Sequence, residues 1–275
     1  MTSQYFDYRD ADLVLRCSSS PTPLDFRVHK CILSAASPFF RDMFTLPQAP
    51  RNSDEGDELP IVEVSEGSST MEMLLRYVYP VLNPTIDTLD DLTVVLEAAY
   101  KYDMVVAIET LRTLLLLPRF LEETPTRIYA IASRFELEEE AKVASRYTLK
   151  INVLDCPLSE DLKFISAYQY HRLLDLHRQR AKAAQELLHI PDTVKCMMCN
   201  GTHYGVFLPP KWWKDFEERA KEELRVRPTT EVIFSMSFLA QSAQTGCERC
   251  AMSVLEAHWF LTKLKKSMDE LPSTI

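Results

Sequence analysis

The stretch from residue 10 to residue 44 constrains the fold more than any other part of the chain. It contains two short segments of alternating apolar residues, at 13–15 and 26–28, separated by the turn-rich sequence SSSPTP. This arrangement is typical of a β-hairpin. Ser37 and Pro38 follow, a hydroxyl that can cap a helix and a proline suited to its first turn. The sequence therefore predicts two paired strands followed by a helix.

The order of residues in this stretch resembles the opening of the BTB/POZ interaction domain. In that family an Asp-hydrophobic strand, a strand ending in His-Lys and a Ser-Pro-Phe-Phe helix form the centre of the fold. Here Asp12, the His-Lys pair at 29–30 and the Ser-Pro-Phe-Phe run at 37–40 stand in the same order. Two later segments, LLRYVYP and AAYKYDM, resemble helices found further along the family's domain. A generic hairpin and helix does not require these residues in this order.

The resemblance covers roughly residues 10–118 and implies an α+β fold, in which a small, mainly antiparallel sheet is flanked by helices. It also implies a non-enzymatic interaction adaptor or scaffold. The most specific function that the resemblance implies is that of a substrate adaptor for a cullin-type ubiquitin ligase. Such an adaptor would contact the cullin through the Ser-Pro-Phe-Phe helix and the helix pair at 124–149. Cullin-binding members usually carry a hydrophobic-x-Glu motif after the first of these helices, whereas this chain has Thr-Leu-Pro-Gln at 45–48. The candidate partner-binding residues are Phe39, Phe40, Met43, Phe44 and Leu46.

An alternative is a structural protein whose BTB domain pairs with itself or with a relative. Family members that dimerise by strand exchange carry an extra helix and strand before the Asp-hydrophobic strand. Only eleven residues precede Asp12, which is too few for that extension. We therefore expect a short-form domain without the exchanged dimer.

Beyond residue 118 the pattern predicts a mainly helical region. A helix pair occupies a predicted extension at 119–152, and a C-terminal domain is predicted over 153–275, after the BTB/POZ domain at 1–118. The helices predicted in the C-terminal domain lie at about 159–188, 210–226, 229–244 and 250–268. On the first of them, Arg172, Arg178, Arg180 and Lys182 form a basic face, which we expect to be solvated. No internal repeat of fixed period is present in the sequence.

Two CxxC pairs are the one group of residues in the sequence with the spacing of a metal-binding site. Cys196 and Cys199 make the first pair, and Cys247 and Cys250 make the second. Two intervening residues let both sulfurs of a pair turn onto one ion, and two pairs complete a tetrahedral zinc shell. The alternatives are that His203 replaces one cysteine, that the cysteines are small buried hydrophobes, or that they form a regulatory disulfide. The sequence thus predicts a Zn²⁺ site in the C-terminal domain and leaves these readings open.

Charge and composition limit the remaining functions. The net charge of −9 argues against a nucleic-acid surface, which needs clustered Lys and Arg, and so against a zinc-containing transcription-linked regulator. Apolar runs such as 114–117 are far too short to span a membrane. Seven cysteines without a secretory signal favour a reducing compartment, so we expect a cytoplasmic or nuclear protein. No catalytic motif is recognisable, and we expect no enzymatic activity.

Overall fold

The computed structural model describes residues 2–17, 24–47, 59–200, 202–203 and 206–275. Its internal contacts divide the chain into two compact units, Met1–Phe120 and Leu121–Ile275. The second unit contains both the predicted helix pair and the segment at 153–275. No helix in these described ranges is long and apolar enough to cross a bilayer.

The first unit contains a four-stranded sheet in the order β1-β3-β2-β4. The strands are β1 (Thr2–Asp7), β2 (Leu13–Cys17), β3 (Leu24–Val28) and β4 (Ile61–Val64). β2 and β3 form the predicted antiparallel hairpin, while β1 joins β3 and β4 joins β2 in parallel. The predicted fold class is confirmed, but the sheet is mixed rather than mainly antiparallel because both outer strands run parallel to their neighbours.

The helices of the first unit include one at 30–36 that the sequence reasoning did not predict. They are α1 (Lys30–Ala36), α2 (Pro38–Thr45), α3 (Ser68–Arg76), α4 (Leu89–Lys101) and α5 (Val105–Leu115), and α6 (Pro118–Glu123) lies at the boundary of the two units. The apolar faces of these helices enclose the sheet in a continuous set of buried aliphatic and aromatic side chains.

The polar residues of the 10–44 stretch have structural roles at the helix starts. The Asp12 carboxylate accepts a hydrogen bond of 2.7 Å from the backbone N–H of Lys30, at the start of α1. Ser37 Oγ accepts from the backbone N–H of Phe40 at 3.1 Å and donates to the carbonyl of Tyr102. Both side chains satisfy backbone groups that a helix end or a loop leaves without partners. This explains why the order of these residues predicted the fold.

The N-terminal strand β1 is an element that the sequence reasoning did not predict. Phe6 is fully buried, with its ring 5.9 Å from that of Phe26 and 5.3 Å from that of Tyr79. Its neighbour Tyr5 is about half exposed, so the strand alternates as an outer strand should. β1 therefore completes the core of its own chain by pairing with β3.

Among the described residues of the second unit, the regular structure is helical apart from one short two-stranded sheet. Its strands are β5 (Thr202–His203) and β6 (Val206–Phe207). Its helices are α7 (Pro125–Arg134), α8 (Glu138–Thr148), a 3₁₀ helix (Glu160–Phe164), α9 (Ala167–Glu186), α10 (Lys211–Val226), α11 (Thr230–Ile233), α12 (Met236–Gln244), α13 (Cys250–Glu256) and α14 (His258–Asp269). The core centres on α10, whose Trp212, Trp213 and Phe216 are all fully buried or nearly so.

Three predicted helices of this unit are each divided in two. Ser159 caps the short 3₁₀ helix, and Ser166 then starts α9 with a capping box closed by Gln169. The predicted helix at 229–244 is interrupted between α11 and α12, and the one at 250–268 is interrupted at Ala257. In each case the apolar spacing continues through the break, so periodicity alone could not locate it.

Acid is expected to destabilise the second unit through His177 on α9. The Thr148 hydroxyl donates to the Ser145 carbonyl and lies 3.0 Å from His177 Nε2, so the imidazole is the donor in that contact. Burial lowers the pKa of His177 from 6.5 to about 4. Because the folded pKa lies below the unfolded one, the stabilisation is complete above pH 6.5 and is lost as the pH falls towards 4.

We expect this group to account for a loss of about 2 kcal/mol in unfolding free energy between pH 7 and pH 5. Urea denaturation at both pH values, compared between the wild type and His177→Gln, measures it. The variant should lose that part of the pH dependence, whereas His171→Gln, at an exposed position of the same helix, should keep it. Equal pH dependence in all three proteins would contradict the assignment.

Candidate metal centre and interaction surface

The four cysteines of the CxxC pairs come together in the second unit. Cys196 and Cys199 lie in the segment after α9, Cys247 precedes α13 and Cys250 is its first residue. Cys196 Sγ is 3.4 Å from Cys247 Sγ, although 51 residues separate them in sequence. The Sγ distance is 3.5 Å for Cys199–Cys250, 3.7 Å for Cys247–Cys250 and 4.0 Å for Cys196–Cys250. All four sulfurs lie within 4.8 Å of one another.

These separations match the geometry of a tetrahedral thiolate shell. Sulfurs bound to zinc at about 2.3 Å in a tetrahedron lie about 3.8 Å apart. The observed distances, from 3.4 to 4.0 Å for the four closest pairs, lie on either side of that value. They are much longer than the S–S bond of a disulfide, about 2.05 Å, and all four cysteines are free thiols. The cluster can therefore hold a metal ion.

Backbone groups around the cluster are directed at the sulfurs. The N–H of Lys211, at the start of α10, donates to Cys199 Sγ at 3.4 Å. The N–H of Cys247 donates to Cys250 Sγ at 3.2 Å. Hydrogen bonds of this kind stabilise thiolate charge and fix the orientation of metal ligands. A cluster of buried hydrophobic cysteines does not require them.

A second set of hydrogen bonds connects the two cysteine pairs without using sulfur. Trp212 Nε1 donates to Ser253 Oγ at 2.9 Å, and Ser253 Oγ donates to the carbonyl of Lys195 at 2.8 Å. Ser253 is on α13, one turn after Cys250, and Lys195 immediately precedes Cys196. The buried indole of Trp212 thus helps to hold the segment of the first cysteine pair beside the helix of the second. The sequence reasoning missed this role because no motif marks Trp212 or Ser253.

Gly246 leaves the space that Cys250 occupies. A Cβ atom built at position 246 would lie 2.4 Å from Cys250 Sγ and 2.7 Å from its Cβ. Real Cβ atoms do not approach other atoms so closely, so any larger residue at position 246 displaces the Cys250 side chain. The only sequence signal for this role is the position of Gly246 directly before the second CxxC pair.

Two thiols of the cluster resist ionisation when no cation is present, whereas at Cys247 desolvation is outweighed by hydrogen bonds from the Arg249 backbone and the neighbouring cysteines, which lower its pKa to about 7. Burial raises the pKa of Cys199 to about 12 and also raises that of Cys250. A divalent cation at the centre reverses this preference, because it attracts the thiolate charge and displaces the protons. His203 remains untested as a ligand, since its side chain lies outside the described part of the structure.

The candidate partner-binding residues of the first unit separate into two groups. Phe40 is fully buried and stacks on Tyr102 with ring centroids 5.1 Å apart, so it belongs to the core and cannot contact a partner. Phe39 is 43% exposed and Leu46 is 61% exposed, while Met43 and Phe44 are half-buried between them in the sequence. We call the four residues other than Phe40 the α2 face.

The position of the α2 face is fixed by its contacts with the core. The rings of Phe39 and Tyr102 pack in a T-shaped arrangement with their centroids 5.4 Å apart, and the ring centroids of Phe40 and Phe44 lie 6.0 Å apart. Soon after Tyr102 in the chain, Val105 and Val106 are also exposed at the start of α5. Large apolar side chains that are exposed but held by buried neighbours are typical of an interaction surface.

Comparison with known families supports an assignment for the first unit. Residues 3–116 match the family model of the BTB/POZ domain. No curated protein matches the chain.

Proposed function

Because residues 3–116 are a BTB/POZ domain, a module that mediates protein–protein interactions, we propose that this protein is a non-enzymatic adaptor joining two other proteins. In this proposal the BTB/POZ domain binds a scaffold, and the second unit holds a different protein. The support is the division of the chain into two compact units, the second with its own aromatic core and its own cysteine cluster.

The scaffold that we propose is a cullin of a ubiquitin ligase, which the family resemblance implies. The single observation that supports this choice is the α2 face, which presents Phe39 and Leu46 to solvent just where such partners are expected to bind. Exposed apolar anchors that are already ordered lose little conformational entropy on binding, so they favour tight association. Self-association of the BTB/POZ domain is the alternative outcome.

Leu46→Glu is expected to weaken cullin binding about tenfold or more, because it places a charge in the apolar centre of the contact. Leu46 is 61% exposed, so the substitution should leave the fold intact. Binding of purified cullin to the full chain at micromolar concentration, followed by pull-down or calorimetry, measures the effect. Leu82→Glu, at an 85% exposed position of the same unit, is the matched control.

Two results would count against the cullin proposal. One is an absence of binding by the wild type at micromolar concentration, and the other is equal loss of binding in Leu46→Glu and Leu82→Glu. Light scattering on the same samples separates the alternative, since a dimer that Leu46→Glu converts to a monomer would identify the α2 face as a self-association surface.

We further propose that the four cysteines bind one structural Zn²⁺. The support is the set of Sγ distances, from 3.4 to 4.0 Å for the closest pairs, which fits four zinc–sulfur bonds. Four protein ligands close the shell and leave no position for substrate, so the ion would hold the segment at 196–199 against α13 rather than catalyse a reaction. Zinc thiolates require reduced cysteines, and we therefore place the protein in the cytoplasm or nucleus.

A further inference from the structure

The two partly exposed cysteines of the cluster each lie close to a buried cysteine of the other CxxC pair. Cys199 and Cys247 are partly exposed, whereas Cys196 is 2% exposed and Cys250 is fully buried. Cys247 Sγ is 3.4 Å from Cys196 Sγ but 3.7 Å from Cys250 Sγ, its partner in the same pair. Cys250 Sγ is in turn 3.5 Å from Cys199 Sγ. The sulfurs of the second pair are therefore nearer to the first pair than to each other.

The two cysteine pairs are also held together by contacts that do not use an ion. Trp212 Nε1 donates to Ser253 Oγ at 2.9 Å, and Ser253 Oγ donates to the Lys195 carbonyl at 2.8 Å. These bonds join the residue before Cys196 to the helix that begins at Cys250. Both bonds are independent of the sulfurs, so the two pairs stay adjacent when an ion leaves.

We propose that the cluster is an oxidation site for hydrogen peroxide, at which disulfides form between the pairs, as Cys196–Cys247 and Cys199–Cys250, and the bound metal ion is released. Peroxide reaches the partly exposed sulfurs, and the buried sulfurs next to them complete the disulfides. To form a bond of about 2.05 Å, two sulfurs 3.4 or 3.5 Å apart each move by less than about 1 Å. This inference rests on the proposed zinc site and adds a reaction of its ligands.

Each disulfide consumes one molecule of peroxide. The Cys247 thiolate attacks one peroxide oxygen, the O–O bond breaks, and a sulfenic acid forms with release of hydroxide. The Cys196 thiolate then attacks the Cys247 sulfur, the S–O bond breaks, and a second hydroxide leaves. The two sulfurs have lost the two electrons that reduced the peroxide. The same steps at Cys199 and Cys250 use a second peroxide, and four thiolates have then become two neutral disulfides that no longer bind the ion.

The pattern of disulfides decides what oxidation does to the second unit. Disulfides between the pairs join the segment at 196–199 to α13, across the 51 residues that separate Cys196 from Cys247. Disulfides within the pairs would leave these two segments without a covalent link. Oxidation between the pairs therefore removes the metal and keeps the connection that the metal provided.

The test treats the full chain with a small excess of hydrogen peroxide, alkylates the remaining thiols and digests the chain with trypsin without reductant. Trypsin cuts after Lys195 and Arg249, so the first pair stays on one peptide while Cys247 and Cys250 are separated. Disulfides between the pairs should join three peptides, and fragmentation of the first peptide in the mass spectrometer should show its Cys196 bonded to Cys247. A chromogenic chelator should detect about one zinc released per chain.

Several products would overturn the proposal: disulfides within the pairs, the other pattern between the pairs, sulfinic acids in place of disulfides, or links between two chains. The oxidised chain should also unfold at a urea midpoint about 1 M or more above that of the reduced chain stripped by a chelator, because a cross-link that closes a long loop restricts the unfolded chain. Equal midpoints would contradict it as well. An untreated chain without zinc would count against the zinc site alone, because the peptide map still decides the disulfide pattern.

Two variants separate this reaction from other oxidations. Met197 and Met198 lie between the cysteines of the first pair and are 91% and 62% exposed, so peroxide can also oxidise them. Met197→Leu combined with Met198→Leu keeps every thiol and should give the same disulfides and the same release of zinc. Loss of zinc release in this variant would assign the response to methionine oxidation and overturn the proposal. Cys156→Ser, which removes a thiol outside the cluster, should leave the peptide map of the cluster unchanged.

Discussion

Cys250→Ser is expected to abolish zinc binding and to destabilise the second unit by about 5 kcal/mol or more, because structural zinc contributes its binding energy to folding. Cys250 Sγ is close to all three other sulfurs, at 3.5, 3.7 and 4.0 Å. Without the ion, no bond holds these sulfurs to one another. Elemental analysis of protein purified without added zinc or chelator should give one zinc per wild-type chain and none in the variant. All three tryptophans, at 212, 213 and 259, lie in this unit, so tryptophan fluorescence follows its unfolding selectively.

Two further variants make this test specific. Cys156→Ser removes a thiol of the same unit that lies outside the cluster, and it should keep both the zinc and most of the stability. Gly246→Ala keeps every thiol but places a Cβ within 2.4 Å of Cys250 Sγ, and it should weaken zinc retention. A wild-type chain without metal, whose thiols stay protected until it unfolds, would instead make the cysteines core residues.

The identity of the four clustered cysteines could be predicted from sequence, but their arrangement could not. The CxxC spacing indicates that each pair can turn onto one ion, because that geometry is local. Cys196 meets Cys247 only when the chain between the two cysteine pairs, which includes α10, has folded. The Trp212–Ser253 hydrogen bond is part of that folding. Those contacts are tertiary, and no short motif encodes them.

The fold of the first unit was predictable for a related reason. Asp12 and Ser37 satisfy backbone groups at helix starts, and such local requirements leave a recognisable order of residues. Periodicity placed Phe39 and Phe40 on one helix, but adjacent positions differ by about 100° around the axis, and only packing decides which faces the core. Phe40 faces the core and is fully buried, whereas Phe39 is 43% exposed.

The basic face predicted for α9 includes one residue, Arg180, whose burial the sequence pattern did not indicate. Arg180 was expected to be solvated with its neighbours, yet it is only 7% exposed. Its Nε donates to the carbonyl of Pro228 at 2.8 Å, and its Nη2 donates to that of Met268 at 3.0 Å. Its Nη1 donates to the carbonyls of Leu271 and, at 2.9 Å, Pro272. The guanidinium therefore binds the C-terminal end of α14 and the residues after it, where helix carbonyls lack partners.

Arg180→Ala is expected to lower the unfolding free energy by about 3 kcal/mol, because it leaves buried carbonyls without a donor and opens a cavity. Arg180→Lys should recover only part of this loss, since a single ammonium group cannot reproduce the planar fork that reaches four carbonyls. Urea denaturation followed by tryptophan fluorescence should show a lower midpoint with an unchanged slope. The expected order of stability is wild type, then Arg180→Lys, then Arg180→Ala.

Lys182→Ala provides the control on the same helix. Its side chain is 80% exposed, and its ion pair with Glu186 is long, at 4.0 Å. Its loss should therefore change the unfolding free energy by less than about 0.5 kcal/mol. If Arg180→Ala were as mild as Lys182→Ala, the end of α14 would be held by the apolar contacts of Met268 and its neighbours. A large difference between the two would instead establish that one buried cation organises the C-terminal end of the unit, whereas the exposed Lys182 on the same helix does not.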